Sequence, residues 1–234
     1  MKTIGIIGGM SWESSDIYYQ IINREVRNRL GGIHSAKIIM YSVDFYELEE
    51  LQRSGQWDKA TKMILKSAMC LDIIGANFIV ICSVTGHEGV EKIEKNINAP
   101  ILHIADAVNK KIIGLKKIGL LGTIYTMEKD YFKKRINAEV IVPDKRDRIF
   151  ISNVIYNEIS QGKIFVNSRN RYIEIINKLK LRGAEGIILG CTEIPLLIKQ
   201  SDVDIPVFSS TEIHAKEAVN YALRTKQADW EDIP

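Results

Sequence analysis

Several features that would define a protein at once are missing from this sequence. It has no GxxxxGK[ST] phosphate loop, and Gly5, Gly8 and Gly9 do not have the spacing of GxGxxG, so a nucleotide or dinucleotide cofactor is disfavoured. Cysteine is scarce: Cys70, Cys82 and Cys191 are odd in number and lack CxxC spacing. That excludes a disulfide framework and a recognisable zinc site. The four histidines include no pair at metal-ligand spacing, and no metal is expected. No apolar run approaches the ~20 residues of a membrane span. The opening MKTIGIIGGMSWESSD reaches glycines and acids too early for a signal peptide. Lys plus Arg (32) against Asp plus Glu (29) leaves +3, with no long basic run. Nucleic-acid binding and a polybasic membrane anchor are therefore not expected. What is left is a reduced, cytoplasmic globular chain of 234 residues, or ~1.5 domains at ~150 residues each.

Short apolar runs alternate with longer amphipathic stretches from end to end. Residues 3–8, 36–41, 78–82, 100–103, 117–122, 139–142, 186–189 and 206–208 read as strands. Several are unbroken Ile/Val/Leu, the pattern of parallel strands buried on both faces. Residues 13–29, 58–74, 105–115, 147–160, 168–182 and 211–224 carry apolar residues at helical spacing. The alternation predicts βαβ units and a doubly wound parallel α/β fold.

An internal echo refines this reading. The segment from Gly75 to Ser83, GANFIVICS, resembles GAEGIILGC from Gly183 to Cys191, a shift of 108. IGIIG at residues 4–8 resembles IGLLG at residues 118–122, a shift of 114, and Pro100-Ile101-Leu102 resembles Pro206-Val207-Phe208 at 106. Three matches in one order predict two pseudo-symmetric half-domains: residues 1–100 with 209–234, and residues 101–208. The active site is expected in the cleft between them, because ligands of open α/β sheets bind beyond the carboxyl ends of the strands.

The same shift carries Ser83 onto Cys191, which places two chemically useful side chains at equivalent strand ends. Cys191 precedes an expected helix start, where unpaired amides and the macrodipole lower a thiol pKa. Period-two alternation sends Cys82 and Ser83 to opposite sides of their strand. Cys82 is then a core residue, unless a local bulge presents it. A serine hydroxyl is a poor proton acceptor without a neighbouring base, and His87 reads as a helix-start or loop residue. The glycine turn Gly8-Gly9-Met10-Ser11 and its counterpart Gly122-Thr123 offer amides and hydroxyls to an anion.

Taken together, these residues resemble the aspartate/glutamate racemase family, whose members work without pyridoxal phosphate, and in particular its bacterial GGMSWES subgroup. The resemblance spans essentially the whole chain. It rests on GGMSWES at residues 8–14, His34-Ser35-Ala36, Ser42-Val43-Asp44-Phe45, Gln52-Arg53, Leu121-Gly122-Thr123, Tyr125-Thr126-Met127, Gly190-Cys191-Thr192-Glu193 and Ile213-His214-Ala215. It implies proton removal from one face of the substrate α-carbon and return to the other, with no metal or organic cofactor. Cys191 would be one acid/base and Ser83 would stand at the opposite position. Met10, Gln52, Ser83, Val84, Thr85, Thr126 and Thr192 would line the substrate site, and Lys163 would meet the distal carboxylate of a dicarboxylic amino acid. A homodimer is the expected assembly.

Two departures from the family pattern stand out. Ser83-Val84-Thr85 replaces the usual cysteine followed by Asn-Thr, although some subgroup members carry threonine first. Ser209-Ser210-Thr211 replaces an Asp-Thr-like pair. They predict slow or strongly asymmetric racemisation, and leave open a one-cysteine decarboxylase or isomerase of the same superfamily and a non-catalytic carboxylate-binding protein.

Overall fold

The computed structural model describes residues 1–224. Positions 225–234 of the expected first half-domain lie outside the described residues. The chain begins β1 (Ile4–Gly8), α1 (Trp12–Leu30), β2 (Ile38–Ser42), α2 (Phe45–Arg53), α3 (Trp57–Ile73) and β3 (Phe78–Ile81). After α4 (Val90–Glu94) and α5 (Ile104–Asn109) come β4 (Lys117–Leu121), α6 (Ile124–Glu128), α7 (Asp130–Lys133), β5 (Glu139–Ile141) and α8 (Lys145–Asn157). The last elements are α9 (Val166–Leu181), β6 (Ile187–Leu189), α10 (Ile194–Leu197), β7 (Val207–Ser209) and α11 (Ser210–Leu223). No helix among the described residues is long and apolar enough to cross a membrane.

The strands form two all-parallel sheets, ordered β2-β1-β3 and β5-β4-β6-β7. Both are covered on two faces, which explains the unbroken apolar runs. In β3, Ile79 and Ile81 face the core under α3, while Phe78, Val80 and Cys82 face the core shared with α1 and α11. In β6, Ile187 and Leu189 face one core together with Cys191, and Ile188 faces the other.

The echo in the sequence is an echo in register. Gly5 pairs with Ile79 and Gly119 pairs with Ile187. Both glycines leave room for a neighbour, since an added Cβ would stand 2.8 Å from the Ala76 Cβ and 2.5 Å from the Ile187 Cδ1 respectively. The Ile79 amide donates to the Pro100 carbonyl at 2.9 Å, and the Ile187 amide donates to the Pro206 carbonyl at 2.8 Å.

The two halves differ at their fourth strand. Residues 100–103, expected as a strand, form a single bridge between Ile79 and Ile101. Pro100 has no N–H to give a ladder, and His103 already caps α5, its Nδ1 accepting from the Ala105 amide at 3.1 Å. α5 ends at Asn109, six residues short of the expected end.

Candidate active site

Both strand ends that matter open onto one cleft. Ser83 leaves β3 on the side of Ile79 and Ile81, and Cys191 leaves β6 on the side of Ile187 and Leu189. The cleft between them is narrow, with a cavity volume of about 30 Å³. Its walls include Met10 from the glycine turn, Gln52 from α2, Val84 and Thr85, and Thr192 and Glu193 beside the thiol.

The glycine turn is shaped by Gly9. Its φ is +88°, and a Cβ there would stand 2.1 Å from the Val43 carbonyl. The Gly9 amide donates to the Ser15 hydroxyl at 2.8 Å, so this part of the turn is engaged internally rather than held open for an anion.

Cys191 does not have the acidic thiol expected from a helix start. Its Sγ donates to the Glu193 carboxylate at 2.8 Å. Burial pushes the thiol well above its ordinary value, and the adjacent Glu193 charge pushes it the same way. The reason is one of scale: α10 has four residues, and its partial charge is outweighed by desolvation and a full negative charge. Glu193 is itself tied down from two sides. The Ser11 hydroxyl donates to Oε1 at 2.8 Å and the Thr192 hydroxyl to Oε2 at 2.7 Å. The arrangement holds a protonated thiol against a fixed acceptor.

Ser83 lies in different surroundings. Its hydroxyl accepts from the Gly86 amide at 3.2 Å. Cys82 is fully buried in the core behind it, with its thiol pushed up by burial. Three hydroxyls meet at the cleft floor: Thr85 to Thr123 at 3.1 Å, Thr123 to Thr126 at 3.2 Å, and Thr85 to Thr126 at 3.4 Å. Thr126 is completely buried behind the other two and bonds the Tyr131 hydroxyl at 2.9 Å.

The structure thus brings Met10, Gln52, Ser83, Val84, Thr85, Cys191 and Thr192 to one cleft, with Thr126 one layer back. It does not bring Lys163 there. That side chain is exposed and donates to Gln161 Oε1 at 2.9 Å, because the chain turns at Gly162 after a 3-10 turn, Ile159–Gln161, and carries it outward. Sequence reasoning passed over Phe45, Leu48, Tyr156 and Glu193 as cleft residues, while Thr123, expected at an anion-receiving turn, does line the cleft. Three of these had a visible signal: Asp44, whose side chain accepts from the Tyr46 amide at 3.0 Å, starts the helix that carries Phe45 and Leu48, and Glu193 stands two positions after Cys191. Among the described residues no group of His, Cys, Asp and Glu could hold a metal ion.

The molecule is a pseudo-symmetric α/β fold in which each half brings one strand end, with a thiol on one and a hydroxyl on the other, to a shared cleft. The chain belongs to the Asp/Glu/Hydantoin racemase family, whose model matches residues 7–218. A candidate Asp/Glu racemase from Yersinia pestis is 48% identical, with a TM-score of 0.89 covering 96% of this chain and all of that one. PH1733, an aspartate racemase homologue from Pyrococcus horikoshii OT3, is 32% identical with a TM-score of 0.80 and the same coverage. The broad specificity amino-acid racemase RacX of Bacillus subtilis is 25% identical over 226 residues, covering 93% of this chain and 96% of that protein.

Proposed function

We propose that this protein is a cofactor-independent amino-acid racemase in which Cys191 serves one face of the substrate α-carbon and Ser83 the other. The observation that carries the reading is the Cys191 thiol held 2.8 Å from the Glu193 carboxylate in the cleft that Ser83 also lines. To act as a base, Cys191 passes its proton to Glu193, and the thiolate takes the α-proton. Ser83 then supplies a proton to the opposite face; the alkoxide this leaves takes a proton from solvent and Glu193 releases its proton there, which restores the site. In the reverse direction Cys191 is already protonated and donates directly, but Ser83 must accept. A hydroxyl whose partner is an amide does this poorly, so α-proton exchange from the Ser83 face is the slower, while kcat/KM for racemisation stays equal in the two directions because two enantiomers have an equilibrium constant of one. The Thr85 and Thr123 hydroxyls are placed to receive the α-carboxylate and the charge that develops on it.

Aspartate and glutamate are the proposed substrates, in keeping with the family. Their distal carboxylate needs a cation, and Lys163, three residues beyond the cleft residue Ser160, would have to leave Gln161 and turn inward.

The test is α-proton exchange in deuterated water, followed for both enantiomers of an amino-acid panel. Wild-type protein should exchange both, unequally. Cys191→Ala should lower exchange from the face it serves by at least about 100-fold. Equal, fast exchange of both enantiomers by Cys191→Ala would refute the assignment. Carbon dioxide release from a dicarboxylate without racemisation would instead favour the one-cysteine decarboxylase reading, which the poorly activated Ser83 also fits.

A further inference from the structure

The crossover from the first sheet to the second is gripped by two buried histidines. The bridge at Ile101 ends where the Leu102 amide donates to the Ile79 carbonyl at 2.9 Å, and no sheet ladder continues to the Leu102 carbonyl or the Ile104 amide. Buried peptide groups require partners, and imidazoles supply them here. His214, on α11, has Nε2 2.7 Å from the Leu102 carbonyl and Nδ1 2.9 Å from the Tyr18 hydroxyl. A carbonyl only accepts, so Nε2 carries the proton and Nδ1 accepts from Tyr18.

His87 uses the other tautomer. The Ile104 amide donates to its Nε2 at 3.3 Å, which leaves Nδ1–H to donate to the Ser83 carbonyl at 2.7 Å. The His87 ring lies 4.5 Å from that of His103 and 5.9 Å from that of His214. His87 is 1% exposed with both nitrogens engaged, which leaves it no free site from which to exchange a proton with a substrate.

We propose that His87 is a positioning residue for Ser83: its Nδ1–H fixes the Ser83 peptide, and its Nε2 ties that peptide to the crossover between the two sheets. Ser83 follows β3, whose last ladder bond runs from the Cys82 amide to the Ile7 carbonyl at 3.0 Å. From there the direction of the Ser83 side chain depends on how its own carbonyl is held. A chain of contacts therefore runs from Tyr18 on α1 through His214, the crossover and His87 to one wall of the cleft.

The consequence for turnover rests on the racemase reading; the placement of Ser83 does not. The experiment compares His87→Asn, His87→Gln and His87→Leu. Asparagine keeps an N–H near the place of Nδ1, and glutamine keeps an acceptor near the place of Nε2. Exchange from the Ser83 face should fall at least about tenfold in the Gln and Leu variants and return to within about threefold in the Asn variant. Exchange from the Cys191 face should stay within about threefold of wild type in all three. Equal losses on both faces, or rescue by Gln as good as by Asn, would overturn the proposal.

Nuclear magnetic resonance gives a second readout that needs no turnover. A slowly exchanging His87 Nδ1–H signal is expected in wild type. The Ser83, Val84 and Gly86 amide signals should hold in the Asn variant and move in the Gln variant. If wild type exchanges no α-proton at all, the racemase reading falls and these signals alone decide: unmoved amides in the Gln variant overturn the positioning role. The Gln variant keeps the crossover contact and carries the comparison if the Leu variant does not fold.

Discussion

Acidification from about pH 7.5 to about pH 5 should remove much of this protein's stability before its carboxylates titrate. His87, His103 and His214 are each at most 2% exposed. Burial is the main force holding all three below the ordinary histidine value: His103 at about 3, His214 at about 4 and His87 well down. Arg135 further depresses His103 and Asp106 opposes it, while the Leu102 carbonyl and Glu217 pull His214 partly back up. The unfolded chain binds protons below about pH 6.5 that the folded protein refuses, so stability falls as pH falls. His103 and His214 each cost about 1.4 kcal/mol per pH unit in that window, or about 2 kcal/mol by about pH 5. His103 and His214 together approach about 4 kcal/mol, and His87 adds in the same direction, against a total of about 5–15 kcal/mol for an ordinary domain. Carboxylates with lowered values, such as Asp72 and Asp106, lose their contribution only further down, below about pH 4. Urea unfolding at a series of pH values measures the slope. His214→Gln should reduce the loss over this window by about 2 kcal/mol. A stability that is flat down to about pH 5, or an undiminished slope in His214→Gln, would refute the reasoning.

Other perturbations test the cleft directly. Glu193→Gln removes a charge that, at an effective dielectric of ~20 and ~4 Å, is worth about 4 kcal/mol against a thiolate; realising a third of it raises alkylation of Cys191 by iodoacetamide about tenfold near neutral pH. The same variant should lose α-proton exchange, since the thiol has lost its proton acceptor. Ser83→Cys replaces a hydroxyl with a far better base and should raise α-proton exchange from the Ser83 face at least about tenfold, read by exchange of both enantiomers. Lys163→Gln should raise KM for aspartate and glutamate about tenfold with little change for uncharged amino acids, and an unchanged KM would remove Lys163 from the site. Gly9→Ala forces a side chain against the Val43 carbonyl at positive φ, and thermal unfolding should show a loss of about 2–4 kcal/mol.

The sheets were legible because burial on both faces writes itself as unbroken Ile and Val. The long helices α1, α3 and α9 were legible because their apolar residues recur at helical spacing. α2 escaped notice because FYELEELQR is short and acidic, with apolar side chains only at Phe45, Tyr46, Leu48 and Leu51. Segments of four or five residues, such as α6, α7 and α10, are too brief for any period to emerge. Residues 100–103 were over-read: a run that looks like β7 stops after one bridge because a proline opens it and a cap closes it. In the cleft, the internal shift of 108 found Ser83 and Cys191 together. The acidity of Cys191 was misjudged because the groups that set it are matters of three-dimensional placement. Glu193 is two positions from Cys191 in sequence, but Ser11, which pins Glu193, lies 182 residues from it.

The unequal fourth strands also settle how the first sheet ends. In the second sheet, β7 pairs with β6 through three residues. In the first, β3 has a one-residue neighbour, after which the chain turns away under the His103 cap. An open edge invites association when it presents a row of unused N–H and C=O groups to another chain. Here the crossover to the second sheet covers the β3 edge at its middle, leaving no continuous row for a further strand. The link between the sheets doubles as a guard against edge-to-edge aggregation.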